Sequence, residues 1–367
     1  MASSVARDPR AATLLRRLVG ASDDGPSTTS PDTVTFADWL SFATRERVVP
    51  LLYHLATSVE HELTATQLDT LERAQIEAMT VAALLDRQLV DVADILTELG
   101  IAFAALKGTA TANLDYPDPS WRQYGDVDLL VAPGDLSAAC RELARSGWHE
   151  WYPLPRAHAP FAHAVTLTRG RGWELDVHQR LAHRAVGLRI PVEQLMRDRV
   201  GFELAGVEIN ALSANHRLVH AAVHAEMSRL ESRRLSSVAD VLLLATTHAA
   251  AADVVVDVVD EWRIRPLFER SIRRAFAEAD LPVPATWETA MSRPLAQRDR
   301  MIEWAYGGGR RRPVREELAH LRLIQRPTER WTYLRSLLVT DEEYERRSGR
   351  RGRMAQLRYL AGRLRDR

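Results

Sequence analysis

Two aspartates one residue apart constrain this chain more than any other feature. They lie in the run Asp126-Val127-Asp128-Leu129-Leu130-Val131, where charge alternates with aliphatic residues. That alternation predicts a strand, and residues two apart on a strand share a face. Two carboxylates held side by side repel unless a cation lies between them. The arrangement is costly as pure architecture and natural as a divalent-metal site, because carboxylate oxygens select hard ions. A third acid, Asp176, lies in the run Trp173-Glu174-Leu175-Asp176-Val177-His178, flanked by aliphatic residues on a second predicted strand. A buried strand aspartate needs a partner. If the two strands are neighbours, three carboxylates converge.

The surrounding pattern predicts an α+β chain. Helical spacing of apolar residues covers 11–18 and 36–45, then a long stretch over 64–99 that Gly100 stops. The short apolar run 101–106 predicts a buried strand, and 108–114 the start of a helix. Residues 133–146 form an amphipathic helix. Hairpins are expected over 164–178, turning at Gly170-Arg171-Gly172, and over 201–210. From Ser213 onward the pattern is helical again, to a breaker at Gly307-Gly308-Gly309. The expected organisation is an N-terminal helical region (1–99), a small mixed-sheet core (100–211), a C-terminal helical domain (212–340) and an arginine-rich helical tail (341–367). A chain of 367 residues suits two or three domains.

Formal charge balances, with 49 basic against 49 acidic residues, which removes any whole-protein argument for nucleic-acid binding. A single cysteine, Cys140, excludes an intrachain disulfide and fits a reducing cytoplasm. The first residues lack an apolar signal core, and no uncharged apolar run approaches the length of a membrane span. The expectation is a cytoplasmic protein without a membrane span.

Lys107 is the single lysine of the chain; every other Lys or Arg position is arginine. Such a bias replaces lysine wherever a generic positive charge suffices. A lysine that survives it, just before Gly108 and shortly before the acid pair, points to a compact ammonium acting on a phosphate oxygen. Three acids holding two metal ions suit in-line attack on a nucleoside triphosphate. Gly108 and Thr109, at a helix N-terminus, would supply backbone N–H groups and a hydroxyl to the phosphates. Lys107 and Arg122 would add positive charge there.

The order Leu-Lys-Gly, Tyr-Pro-Asp-Pro, Arg-x3-Asp-Val-Asp-Leu-Leu-Val and Leu-Asp-Val-His resembles the uncharacterised nucleotidyltransferase family within the DNA polymerase β-like superfamily. The resemblance covers roughly residues 85–250. Thr109 stands where the superfamily pattern has Ser or Gly, and the gap from Gly108 to Asp126 is wider than in its smallest members. The resemblance implies a metal-dependent nucleotidyltransferase that moves an NMP from an NTP to an acceptor hydroxyl or phosphate on a small molecule, peptide or protein. It implies Asp126, Asp128 and Asp176 as catalytic and metal-binding, with two Mg2+ ions (Mn2+ as the alternative). Lys107, Gly108, Thr109, Arg122 and His178 are the expected nucleotide-binding residues. The alternatives from the same resemblance are an antitoxin-like partner that binds a helical protein and an RNA end-modifying enzyme. The acceptor, the NTP and the oligomeric state are not readable from the sequence.

Other features have plainer readings. His220 and His224, four apart on a helix with His216 on the same stripe, fit packing near the cleft better than a zinc site. Asp240, in an apolar helix, is expected to pair with Arg233 or Arg234. Trp148 and Trp151 read as packing, His158 and His163 as parts of a connection, and Cys140 as a small buried residue. The leucine-spaced arginine-rich tail reads as a basic amphipathic helix folded on the protein, with nucleic acid, an acidic membrane or an acidic partner as the alternatives.

Overall fold

The computed structural model describes residues 8–21, 35–58, 63–151, 161–170, 172–227, 234–297, 299–306, 313–324 and 326–338. His158, Arg233, the three glycines at 307–309 and the arginine-rich tail lie outside them. Seven strands make one mixed sheet: β1 Phe103–Ala105, β2 Val127–Val131, β3 His149–Glu150, β4 Ala164–Arg169, β5 Trp173–His178, β6 Val200–Leu204 and β7 Val207–Ala211. Their order is β3-β4-β5-β2-β1-β7-β6. The expected hairpins are β4–β5 and β6–β7, both antiparallel. The first turns through Gly170 and Gly172, at φ 62° and 102°, a region that glycine enters without steric cost.

Helices surround the sheet. Before it come α1 Pro9–Leu18, α2 Phe36–Glu46, α3 Val49–Ser58 and α4 Ala65–Glu98. Capping boxes start two of these, Thr35 with Asp38 and Thr64 with Gln67. In each, the side chains satisfy otherwise orphaned amides. Within the sheet region lie α5 Lys107–Leu114, α6 Leu136–Arg145, α7 Arg184–Gly187 and α8 Val192–Arg197. After it come α9 Ala214–Met227, α10 Leu235–Thr247, α11 Ala252–Glu261, α12 Arg265–Glu278, α13 Ala285–Met291, α14 Arg300–Tyr306, α15 Pro313–Leu323 and α16 Pro327–Leu338. Among the described residues no single helix is long and apolar enough to cross a membrane.

The two faces of the sheet enter different cores. Val127, Leu129 and Val131 of β2, with Leu175 and Val177 of β5, pack with Leu85, Leu89 and Leu96 of α4 and with α6. Leu130 of β2 and Ala104 of β1 join the second core, built with α1–α3 and the helices after β7. A strand turns alternate residues to opposite faces. Asp128, in phase with Leu130, is therefore carried on the face toward the helices that follow β7. Asp176 and His178 of β5 share that face by the same alternation. Each fully buried leucine contributes about 1.5–3 kcal/mol, so the apolar residues that alternate with the acids hold them in place.

Candidate active site

Strand β5 lies parallel to β2, with Asp176 opposite Asp128 and His178 opposite Leu130. The two carboxylates thus meet at one level of the sheet. Asp126 does not belong to β2: it occupies a bend one residue ahead of it. Asp128 is buried, and its Oδ1 accepts hydrogen bonds from Lys107 Nζ and His178 Nε2, each at 2.7 Å. Asp176 is half-buried and accepts a 2.5 Å hydrogen bond from the Thr166 hydroxyl.

The electrostatics follow from this crowding. Burial pushes the Asp128 carboxyl up, but the Lys107 charge and the His178 hydrogen bond hold it well below the ordinary carboxylate range. The resulting charge on Asp128, with burial second, pushes Asp126 up to about 6. Burial pulls the Lys107 ammonium down, yet Asp128, Asp126 and Asp176 together outweigh it and raise its pKa. Three acids and one lysine form a single coupled group.

Among the described residues, the donors close enough to share an ion are those of Asp128, Asp176 and His178, all within 4.8 Å of one another. This trio has His178 where the expected metal set has Asp126. The difference is local: Asp126 precedes the strand, whereas His178 follows Asp176 at the same-face interval of β5. His178 also has a buried Nδ1 without a hydrogen-bond partner. The His163 ring stands edge-on to it at 5.3 Å and itself lies 3.6 Å from the His183 ring. Burial lowers the pKa of His163, and also those of His220 and His224 across the cleft, the last to about 3. The walls around the acids are therefore largely neutral imidazoles at pH 7.

The expected phosphate-binding residues are placed less simply. Lys107 opens α5 with φ 41°, and its ammonium rests on Asp128. Gly108 is required for packing: a Cβ there would lie 2.6 Å from Tyr124 Cβ. The Thr109 hydroxyl is directed to Asp86 of α4 at 3.1 Å, an oxygen that the Tyr124 hydroxyl also reaches at 2.6 Å. The N-cap of α5, Leu106, makes no side-chain cap hydrogen bond, so the backbone amides of the first turn lack a capping oxygen.

Arg122 lines the same cleft as Lys107, with its guanidinium committed to a carboxylate. It makes a buried two-pronged ion pair with Asp240 of α10, at 2.7 and 2.8 Å, and Tyr116 donates to the same carboxylate at 2.9 Å. Asp240 is thereby paired with Arg122 rather than with Arg234. A second such pair joins Arg217 of α9 to Asp115, at 2.8 and 2.6 Å. These links clamp α9 and α10 over the end of the sheet. They enclose a cleft lined by Lys107, Leu212, His220, His224 and Ser237. His220 and His224 stand on that wall, their rings 6.2 Å apart.

The remaining sequence candidates fall outside this centre. Trp148 is fully buried with the Arg169 guanidinium 4.7 Å over its ring, while Trp151 is exposed. Cys140 is half-buried on α6, and burial raises its thiol pKa to about 11. Sequence reasoning missed Asp86, His183 and the Asp115–Arg217 pair. No local spacing exposes such contacts, because each links segments that only the fold brings together.

The sequence matches the family described as "Uncharacterised nucleotidyltransferase" over residues 32–279, more than half of the chain. No curated protein matches it. A crystal structure of an antigenic nucleotidyltransferase-like protein from Paracoccidioides brasiliensis aligns with 58% of this chain and 91% of its own, at 16% identity and a TM-score of 0.31.

Proposed function

Because the chain belongs to the uncharacterised nucleotidyltransferase family, we propose that it transfers a nucleoside monophosphate from an NTP to an acceptor hydroxyl or phosphate, releasing pyrophosphate. The observation that carries this reading is the register of β2 and β5, which sets Asp176 beside Asp128 with Asp126 one step ahead. Carboxylates so close, with the His178 ring beside them, fit a divalent cation: Asp126, Asp128 and Asp176 would hold it, with His178 as an added donor. Magnesium, or manganese, supplies neutralisation of the triphosphate charge and activation of the attacking oxygen in such sites.

The chain's own groups do the remaining work. The acceptor oxygen attacks the α-phosphorus, and the bond to the bridging oxygen breaks. The electron pair leaves with pyrophosphate, and the acceptor's proton passes to Asp176, which is more exposed than the buried Asp128. Lys107 neutralises Asp128 and faces the cleft, positioned to follow charge as it develops on the phosphates. The uncapped first turn of α5 offers amides to phosphate oxygens, as helix N-termini do for anions. The acceptor would enter the cleft between α5, α9 and α10, where His220, His224 and Ser237 stand. In this reading residues 100–211 carry the chemistry and the helices after 211 form the acceptor's wall.

Label position decides the reaction class. The protein is incubated with cell extract and with each NTP labelled at the α- or at the γ-phosphate. Nucleotidyl transfer puts α-label, and no γ-label, on an acceptor and produces pyrophosphate. Transfer of γ-label instead would replace this reading with phosphoryl transfer, and transfer of neither by wild type would remove it.

A further inference from the structure

Helix α2 ends at Glu46, and Arg47 caps it in the left-handed conformation at φ 57°. A non-glycine residue there is uncommon. The turn sends the chain straight into α3 and leaves the Arg47 side chain against the loop before β2. A Cβ built on Gly125 would lie 3.3 Å from Arg47 Nη1 and 3.6 Å from both Cζ and Nη2. Three guanidinium atoms at nearly one distance mean that the fork lies broadside over Gly125. Its nearest acid in sequence along that loop is Asp126, whose carboxyl feels the Arg47 charge as a downward pull.

Arg47 is exposed, and it has no acidic partner among the described residues. The contrast with its neighbours is sharp: Lys107 rests on Asp128, Arg122 on Asp240 and Arg217 on Asp115. A guanidinium beside an acid cluster would ordinarily settle on a carboxylate. Here the glycine contact holds it alongside Asp126 with its donors unspent.

The loop also fixes what lies next to it. Tyr124 packs on Gly108 in the first turn of α5, Gly125 packs beneath Arg47, and Asp126 begins the acids. Three consecutive residues thus bring together an uncapped helix N-terminus, an uncommitted guanidinium and the carboxylates. A planar fork of donors matches two phosphate oxygens at once. Backbone amides at a helix start suit the same ligand.

We infer that Arg47 and the first turn of α5 bind the β- and γ-phosphates of the NTP, so that the N-terminal helices complete the nucleotide site. Arg47 takes the place that sequence reasoning gave to Arg122. This inference rests on the nucleotidyl-transfer reading and adds to it a residue nearly 80 positions before the acids.

The test compares affinities by calorimetry, with divalent cation present, for each of the four common NTPs and its monophosphate. Arg47→Gln should weaken NTP binding ten-fold or more, leave monophosphate binding unchanged and keep the wild-type melting temperature, because the side chain is exposed. Arg47→Lys should fall between the two, and Gly125→Ala should imitate Arg47→Gln by pushing the fork off its seat. Wild-type NTP affinity in Arg47→Gln would overturn the inference and leave the nucleotidyl-transfer reading standing. Equal losses for NTP and monophosphate would overturn it too, by showing a general rather than a phosphate-specific effect. Wild-type protein that binds no NTP at all would remove both.

Discussion

Lys107 is a counter-ion before it is anything else. Its ammonium sits 2.7 Å from a carboxylate that is almost wholly buried, and removing one partner of a buried pair leaves an uncompensated charge costing up to about 3–5 kcal/mol. His178 remains on Asp128, so Lys107→Ala should lose part of that range. Thermal melts of Lys107→Ala should show a lowered midpoint that millimolar MgCl2 or MnCl2 largely restores, because an ion can replace the ammonium; a loss indifferent to divalent ions would contradict this. Lys107→Arg keeps the charge but spreads its donors over a wider fork. We expect it to lose about ten-fold in turnover, on the order of 1.4 kcal/mol. The acids and this lysine were legible in the sequence because alternation along a strand and composition are local signals. Their pairing was not: Lys107 and Asp128 lie 21 residues apart, and only the sheet shows that the lysine meets an acid first.

Short elements set the site's shape, and two glycine and ion-pair contacts are their weak points. In α5, a methyl on Gly108 would meet Tyr124 Cβ and Cγ at 2.6 and 2.7 Å. Those atoms sit close to the backbone and cannot swing aside. Gly108→Ala should therefore destabilise the fold by about 1–3 kcal/mol, read as a drop in denaturant midpoint. Between the segment ahead of β2 and α10 the Arg122–Asp240 pair plays the same holding role. Asp240→Asn should cost about 3–5 kcal/mol by leaving a buried guanidinium unpaired. Adding Arg122→Met should recover much of it, whereas additive losses would mean that the two do not form one unit. Six of the seven strands, both hairpins and the long helix were foreseeable from their periods of two and 3.6; β3, only two residues long, carries no such period. The clamp was not, since Arg122 and Asp240 are 118 residues apart and a helix-face aspartate looks from sequence as if it pairs with the nearest arginine.

At the scale of the whole molecule, the sheet holds repelling charges that the fold must support. Asp126 carries a folded pKa of about 6 against 3.8 for the free carboxyl. A carboxyl raised on folding binds its proton more tightly in the folded state. Its favourable contribution is therefore full below the unfolded value and is lost as pH rises through about 6. Asp128 is lowered and acts in the opposite sense, with stability present above 3.8 and lost only at strongly acidic pH. Between about pH 4 and 6 the Asp126 effect runs against the buried histidines, whose lowered pKa values cost stability as pH falls below 6.5. Without divalent ions the Asp126 contribution should fall by on the order of 1–3 kcal/mol across that window, so Asp126→Asn should make stability rise more steeply with pH than in wild type and should raise it at pH 7. Denaturant melts at pH 4.5 and pH 7 check this, and an unchanged slope in the variant would contradict it.

In the proposed function Asp126, just ahead of β2, and Asp128, within it, hold a cation and, with it, a nucleoside triphosphate. Calorimetric titration of NTP with divalent cation present tests it most directly, in wild type and in Asp126→Asn with Asp128→Asn. The account predicts binding by wild type that depends on the cation and vanishes in the double variant, while the variant stays folded. Equal NTP binding by the double variant, cation present, would contradict it.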